Sequence, residues 1–116
     1  MDIVKYQKII DKFANERNWD KFHNPKNLVM ALAGEVGELT EIFQWLNESQ
    51  SKEIINSPTD IALVEEEVAD VFIYLIRIAD RLNIDIEKAV SEKLVKNAQK
   101  YPIELSKDNA TKYNRR

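Results

Sequence analysis

The stretch PTDIALVEEEVADVFIYLIRIADRL, residues 58–82, decides the fold class. Its apolar residues recur at helical spacing and cover most of the circumference, from Ile61 and Val64 through Val68, Val71, Phe72, Leu75 and Ile76 to Leu82. A helix of that kind is stable when other helices or another subunit surround it, so it implies a bundle or a subunit interface. Ser57-Pro58-Thr59 signals its start, with Thr59 or Asp60 as the expected cap.

Working outward, the segment from Asp2 to about Asn18 carries Ile3, Tyr6, Ile9, Ile10 and Phe13 as a helical stripe. Trp19 to His23 show no period and read as an aromatic loop. Asn24-Pro25 opens a second helix that runs to about Leu46, because proline is tolerated where the first helical N–H is not needed. Residues 47–58 are mainly polar and read as a linker or a short extra helix. On the far side, Asn83 ends the central helix, Asp85 caps a fourth, and Tyr101-Pro102 stops it. The expectation is an all-α antiparallel bundle of four main helices, in one domain over residues 1–102, followed by a polar, flexible tail over 103–116.

Composition agrees. With two Gly and three Pro in 116 residues, a turn-rich β architecture is disfavoured. Apolar residues at 44% and charged residues at 32% fit neither a disordered nor a membrane-spanning chain. The absence of cysteine excludes disulfides and thiolate metal sites, and with no leader-like start the expected location is cytoplasmic. A net charge of −3 argues against binding along a nucleic-acid backbone. Lys107, Lys112, Arg115 and Arg116 lack apolar partners and read as a solvated terminus.

Glu35 and Glu38 are three residues apart on the second helix, and Glu67 and Asp70 are three apart on the third, so each pair shares a face. Asp70 lies within Val68-Ala69-Asp70-Val71-Phe72-Ile73 with no cation at helical spacing, where an unpaired buried charge is costly. Gly34 and Gly37 beside the first pair each cost about 1 kcal/mol of helix propensity relative to Ala. Something other than helix stability selects these residues. For Glu41, Glu65 and Glu66 a solvated face suffices. For the two pairs, convergence across the bundle would demand a compensating cation. Di-iron carboxylate bundles use Glu-x-x-His on two helices, and the one histidine here, His23, lies in a loop. Oxygen ligands alone favour Mg²⁺ or Mn²⁺, and Mg²⁺ completes its shell with water and substrate phosphate. Lys93, Asn97 and Lys100 line one face of the fourth helix, either as a surface stripe or as a phosphate grip.

Gly34-Glu35-Val36-Gly37-Glu38-Leu39-Thr40-Glu41, Glu66-Glu67-Val68-Ala69-Asp70-Val71 and the run from Lys93 to Pro102 together resemble the MazG-like all-α nucleoside triphosphate pyrophosphohydrolases, on the branch that includes the dCTP pyrophosphatases. The resemblance implies cleavage between the α and β phosphates, giving the monophosphate and pyrophosphate. It implies Mg²⁺, with Mn²⁺ able to substitute, held by Glu35, Glu38, Glu67 and Asp70, with Glu35 or Glu38 as proton acceptor. Trp19, Phe22, His23, Trp45 and Tyr74 match the family pattern. The substrate-binding set it implies is Trp19, His23, Trp45, Tyr74, Lys93, Asn97, Lys100 and Tyr101, for pyrimidine deoxynucleotides such as dCTP or for modified nucleotides, in nucleotide-pool house-cleaning. It further implies a homo-oligomer, tetramer rather than dimer, that completes the bundle, with no nucleic-acid or membrane partner. Ile10 departs from the pattern, since dCTP-selective members carry a histidine at the corresponding place, and base choice is open. The alternative is an inert helical oligomer that binds nucleotides or a partner protein and keeps the acids as relics.

Overall fold

Each long helix begins at a short polar residue that accepts a hydrogen bond from an N–H its first turn leaves open. In the computed structural model, which describes residues 1–108 and 110, the helices are α1 (Ile3–Glu16), α2 (Pro25–Phe43), α3 (Glu48–Glu53), α4 (Pro58–Arg81), α5 (Ile86–Lys100) and α6 (Ile103–Ser106). Asp2 accepts from the Lys5 N–H at 3.0 Å, Asn24 from Asn27 at 2.9 Å, Ser57 from Asp60 at 3.3 Å and Asp85 from Lys88 at 3.1 Å. No strand occurs among the described residues.

The expected cap of α4 needs correction. Ser57, not Thr59 or Asp60, is the N-cap, because Pro58 takes the first helical position and the cap must precede it. The polar segment 47–58 folds into α3, held by a reciprocal box in which Asn47 accepts from the Gln50 N–H at 2.8 Å and the Gln50 side chain accepts from the Asn47 N–H at 3.0 Å, and then a 3₁₀ turn at Ile54–Asn56. Residues 20–22, expected as loop, also form a 3₁₀ turn. Ile103–Ser106 is helical although the sequence reads there as tail, and Lys112, Arg115 and Arg116 lie outside the described residues.

Two compact units divide the chain, Met1–Asn83 and a second that begins at Ile84. In the first, α2 and α1 both pack on α4, which contributes buried Ile76, Arg77 and Ala79, joined by Ala14 from α1 and Leu28 from α2. The second unit holds α5 and α6. α1 ends in a tight left-handed reversal. Asn18 takes φ 54°, its N–H donates to the Asn15 carbonyl at 3.0 Å, and the next N–H, of Trp19, reaches back to the Ala14 carbonyl at 2.9 Å. This double closure suits asparagine, which tolerates the left-handed region, and it fixes the backbone of Trp19. Asn83 repeats the φ of 54° after α4.

Part of the apolar circumference of α4 remains exposed among the described residues. Leu63, Val68 and Ile73 keep 43–51% of their surface exposed, and a groove of about 460 Å³ between α1 and α4 is lined by Tyr6, Ile10, Phe13, Phe72, Ile73 and others. Among the described residues the fully buried core is small.

Candidate metal and nucleotide site

Five residues of α4 fall on one stripe at helical spacing: Glu67, Asp70, Tyr74, Arg77 and Arg81. Ala69, Phe72, Ile73 and Ile76, which line the apolar groove with Ile10, occupy an adjoining face centred roughly 130° round the helix. Ile10 lines that groove and is not part of the acid cluster.

At one end of the stripe, Glu35 and Glu38 from α2 approach Glu67, with one carboxylate oxygen of each lying within 4.8 Å of the others. Asp70 stands outside that trio, but its charge acts on both Glu35 and Tyr74. None of the four acids has an ion-pair partner among the described residues. Burial, then the neighbouring Glu35 and Glu38 carboxylates, push the Glu67 carboxyl up to about 7. Glu35 is raised too, first by burial, with Glu38 and Asp70 adding repulsion that its contact with Glu67 partly offsets. One oxygen of Glu35 and one of Glu67 are buried without a hydrogen-bond partner. Two orphaned carboxylate oxygens facing a third carboxylate form a donor set that a hard divalent cation satisfies, and neither His nor Cys is there to select a softer one. A Cβ added at Gly34 or Gly37 would meet nothing within 4 Å, so the α2 backbone beside Glu35 and Glu38 is left bare.

Tyr74 is half-buried one turn beyond Asp70, its phenol raised by burial and by the charges of Glu35 and Asp70. Beyond it the aromatic turn docks. Trp19 meets Phe13 edge-on with ring centroids 5.8 Å apart and lies 6.3 Å from the His23 ring at a tilt of 56°. Phe22 is exposed, while its carbonyl accepts from Asn27 Nδ2 at 3.1 Å and so ties the turn to the start of α2. Trp45 stands 86% exposed just past the end of α2, with no ring partner among the described residues. In the second unit, Lys93 and Lys100 lie close enough that the charge of Lys100 pulls the Lys93 ammonium down, and Asn97 shares their face. The Asn97 carbonyl accepts the N–H of Tyr101, the residue that closes α5.

Arg77 was not legible as a site residue. It is 2% exposed, and its guanidinium reaches Asp11 and Asp20 at 2.7 Å each, Asp80 at 3.5 Å and His23 Nδ1 at 3.2 Å. The available signal was a lone cation inside the apolar run Leu75-Ile76-Arg77-Ile78-Ala79.

This all-α arrangement, with acids from two packed helices meeting over one stripe, agrees with the match of residues 31–115 to the MazG-like family, and the chain belongs to that family. Over 102 residues, 88% of its length, it is 45% identical to dCTP pyrophosphatase 1 of Rattus norvegicus and 43% identical to that of Homo sapiens. The chain spans 60% of the length of these relatives. Among solved structures it resembles a pyrophosphatase from Archaeoglobus fulgidus, with a TM-score of 0.81 and 39% identity, covering 88% of this chain and 94% of that one.

Proposed function

We propose that the chain is a nucleoside triphosphate pyrophosphohydrolase, cleaving the α–β phosphoanhydride bond of a pyrimidine deoxynucleotide such as dCTP, or of a modified nucleotide, in cytoplasmic nucleotide-pool house-cleaning. The observation that carries this reading is the trio Glu35, Glu38 and Glu67 with two buried, unsatisfied oxygens. Glu35, Glu38, Glu67 and Asp70 would hold Mg²⁺, or Mn²⁺ in its place, which supplies neutralisation of phosphate charge and acidification of water. Glu35 or Glu38 would accept the proton of the attacking water. As the water oxygen bonds to phosphorus, the bridging bond breaks and pyrophosphate leaves with its electron pair. Lys93, Asn97 and Lys100 would bind the phosphates, Tyr101 would belong to the substrate-binding set, and Tyr74 would help enclose the base. Trp19, His23 and Trp45 receive the base, since aromatic faces contribute roughly 1–3 kcal/mol per stacked base.

We further propose a homo-oligomer, tetramer rather than dimer. The exposed apolar surface of α4 and the sparse core support it, since association would bury what the single chain leaves open.

The deciding experiment incubates the protein with a panel of canonical and modified nucleoside triphosphates, with and without Mg²⁺, and scores pyrophosphate against orthophosphate. Pyrophosphate and monophosphate should appear in equal amounts, and only with the metal. Orthophosphate as the sole product, or no turnover of any nucleotide, would overturn the reading and leave an inert binding protein.

A further inference from the structure

The Arg77 cluster lies outside the acid site and is more elaborate than packing requires. A buried ion cluster could be replaced as a whole by apolar side chains at little cost to stability, whereas polar networks that are fully satisfied fix a single geometry. Every member of this one converges on the same object. Asp20 and His23 belong to the turn that carries Trp19, Asp11 comes from α1, Arg77 and Asp80 from α4, and Arg81 adds a second hold on Asp20 at 3.4 Å. Asp11 and Asp20 each keep 44% exposure, so the guanidinium is the dry centre of an otherwise wet cluster.

The chemistry of the shortest polar link to His23 is directional. Arginine is a donor only and does not deprotonate in proteins, so Nδ1 of His23, 3.2 Å from Arg77 Nε, must be the acceptor. The one proton of the neutral ring is then on Nε2. Burial and the positive charges of Arg77 and Arg81 hold the His23 pKa below its ordinary 6.5 against the opposing pull of Asp20, which keeps the ring neutral.

We propose that Arg77 is a positioning residue for base recognition, clamping the Trp19–His23 turn onto the acid-bearing face of α4 and locking His23 as the Nε2–H tautomer, a hydrogen-bond donor to an acceptor on the base. This rests on the nucleotide reading above. Arg77 lies seven residues past Asp70, about 10 Å along the helix at 1.5 Å per residue, so the clamp sets where the base stands relative to the phosphates.

The test uses Arg77→Met and Arg77→Lys in the full chain. His23 is the only histidine, so its ¹⁵N resonances report one ring without assignment. The wild type should show the Nε2–H form, and both variants should show a tautomer mixture, lysine failing to restore the fork. With dCTP as probe, KM should rise up to about tenfold, the loss of the one neutral hydrogen bond that His23 gives the base, while kcat changes little and inhibition by pyrophosphate is unmoved. A wild-type Nδ1–H tautomer, an unchanged KM in either folded variant, or full rescue by lysine would overturn the proposal. So would equal losses toward dCTP and pyrophosphate, which mark a merely structural role. If Arg77→Met does not fold, Arg77→Lys, which keeps the charge in place, decides the same questions. Absence of wild-type turnover on the whole nucleotide panel instead refutes the functional reading and the recognition role with it.

Discussion

Replacing Gly34 and Gly37 by alanine separates what the fold needs from what the site needs. Both glycines lie inside α2, and a Cβ at either would meet nothing within 4 Å, so no steric penalty offsets the gain in helix propensity. That gain is about 1 kcal/mol per Gly→Ala in a helix interior, hence about 2 kcal/mol for the pair. At about 4–8 °C per kcal/mol for a small domain, the double variant should melt on the order of 10 °C higher. Gly34 lies one turn before Glu38 on the same face, so added methyl groups would enter the space beside the acids. The stabilised protein should therefore show a raised KM for nucleotide. Urea denaturation of the metal-free chain, paired with steady-state kinetics on the same preparations, measures both. Destabilisation would show that something outside the single chain fills the bare face. Stabilisation with unchanged kinetics would show that the glycines serve no purpose in binding.

Glu38→Gln should leave the helical content intact and lower kcat by at least a hundredfold, about 3 kcal/mol of transition-state stabilisation, because it deletes a charge the proposed metal site would need while keeping volume; near wild-type turnover at ordinary Mg²⁺ would contradict it. In the metal-free protein, Glu67 is pushed up to about 7 from 4.5, so between those values the folded state binds more protons than the unfolded one. Its contribution is present below pH 4.5 and lost as pH rises through about 7; Glu67→Gln, or saturating Mg²⁺, should flatten that decline in a melting series. His23 acts with the opposite sign, its contribution being present above pH 6.5 and lost as pH falls through its lowered folded value, so His23→Gln should remove that acid-side loss. Trp19→Ala should raise KM for pyrimidine deoxynucleotides and leave pyrophosphate inhibition nearly unchanged; a folded variant with unaltered KM would return Trp19 to a packing role against Phe13.

The helices were legible because their signals are local. Apolar spacing, a polar cap and a proline at the first helical position act over a few residues, and Asn24 and Asp85 cap where the sequence places them. Ser57 was mistaken for a residue upstream of the cap because Thr59 and Asp60 are equally good capping types, and only the position of Pro58 discriminates. The pairing of Glu35 and Glu38 with Glu67 was readable from two motifs on two amphipathic helices. The Arg77 cluster was not, because its partners Asp11, Asp20 and His23 lie 54–66 residues away and no periodicity connects a buried cation to them. The turn at Asp20–Phe22 was unreadable for a related reason, since its shape comes from the reversal at Asn18 and from anchors on α1, α2 and α4.

The stripe on α4 acts as a ruler. Glu67, Asp70, Tyr74, Arg77 and Arg81 are graduations on one uninterrupted rod, so the interval between the acid cluster and the clamped aromatic turn is fixed by rise per residue rather than by loop length. A single inserted residue between Asp70 and Arg77 would turn one end by about 100° against the other and disengage it. On the nucleotide reading, change in this chain would be channelled into the turn: the side chains of Trp19 and Phe22, which lie outside the Arg77 cluster, could be exchanged to suit another base, whereas the reach of the site could lengthen only by whole helical turns.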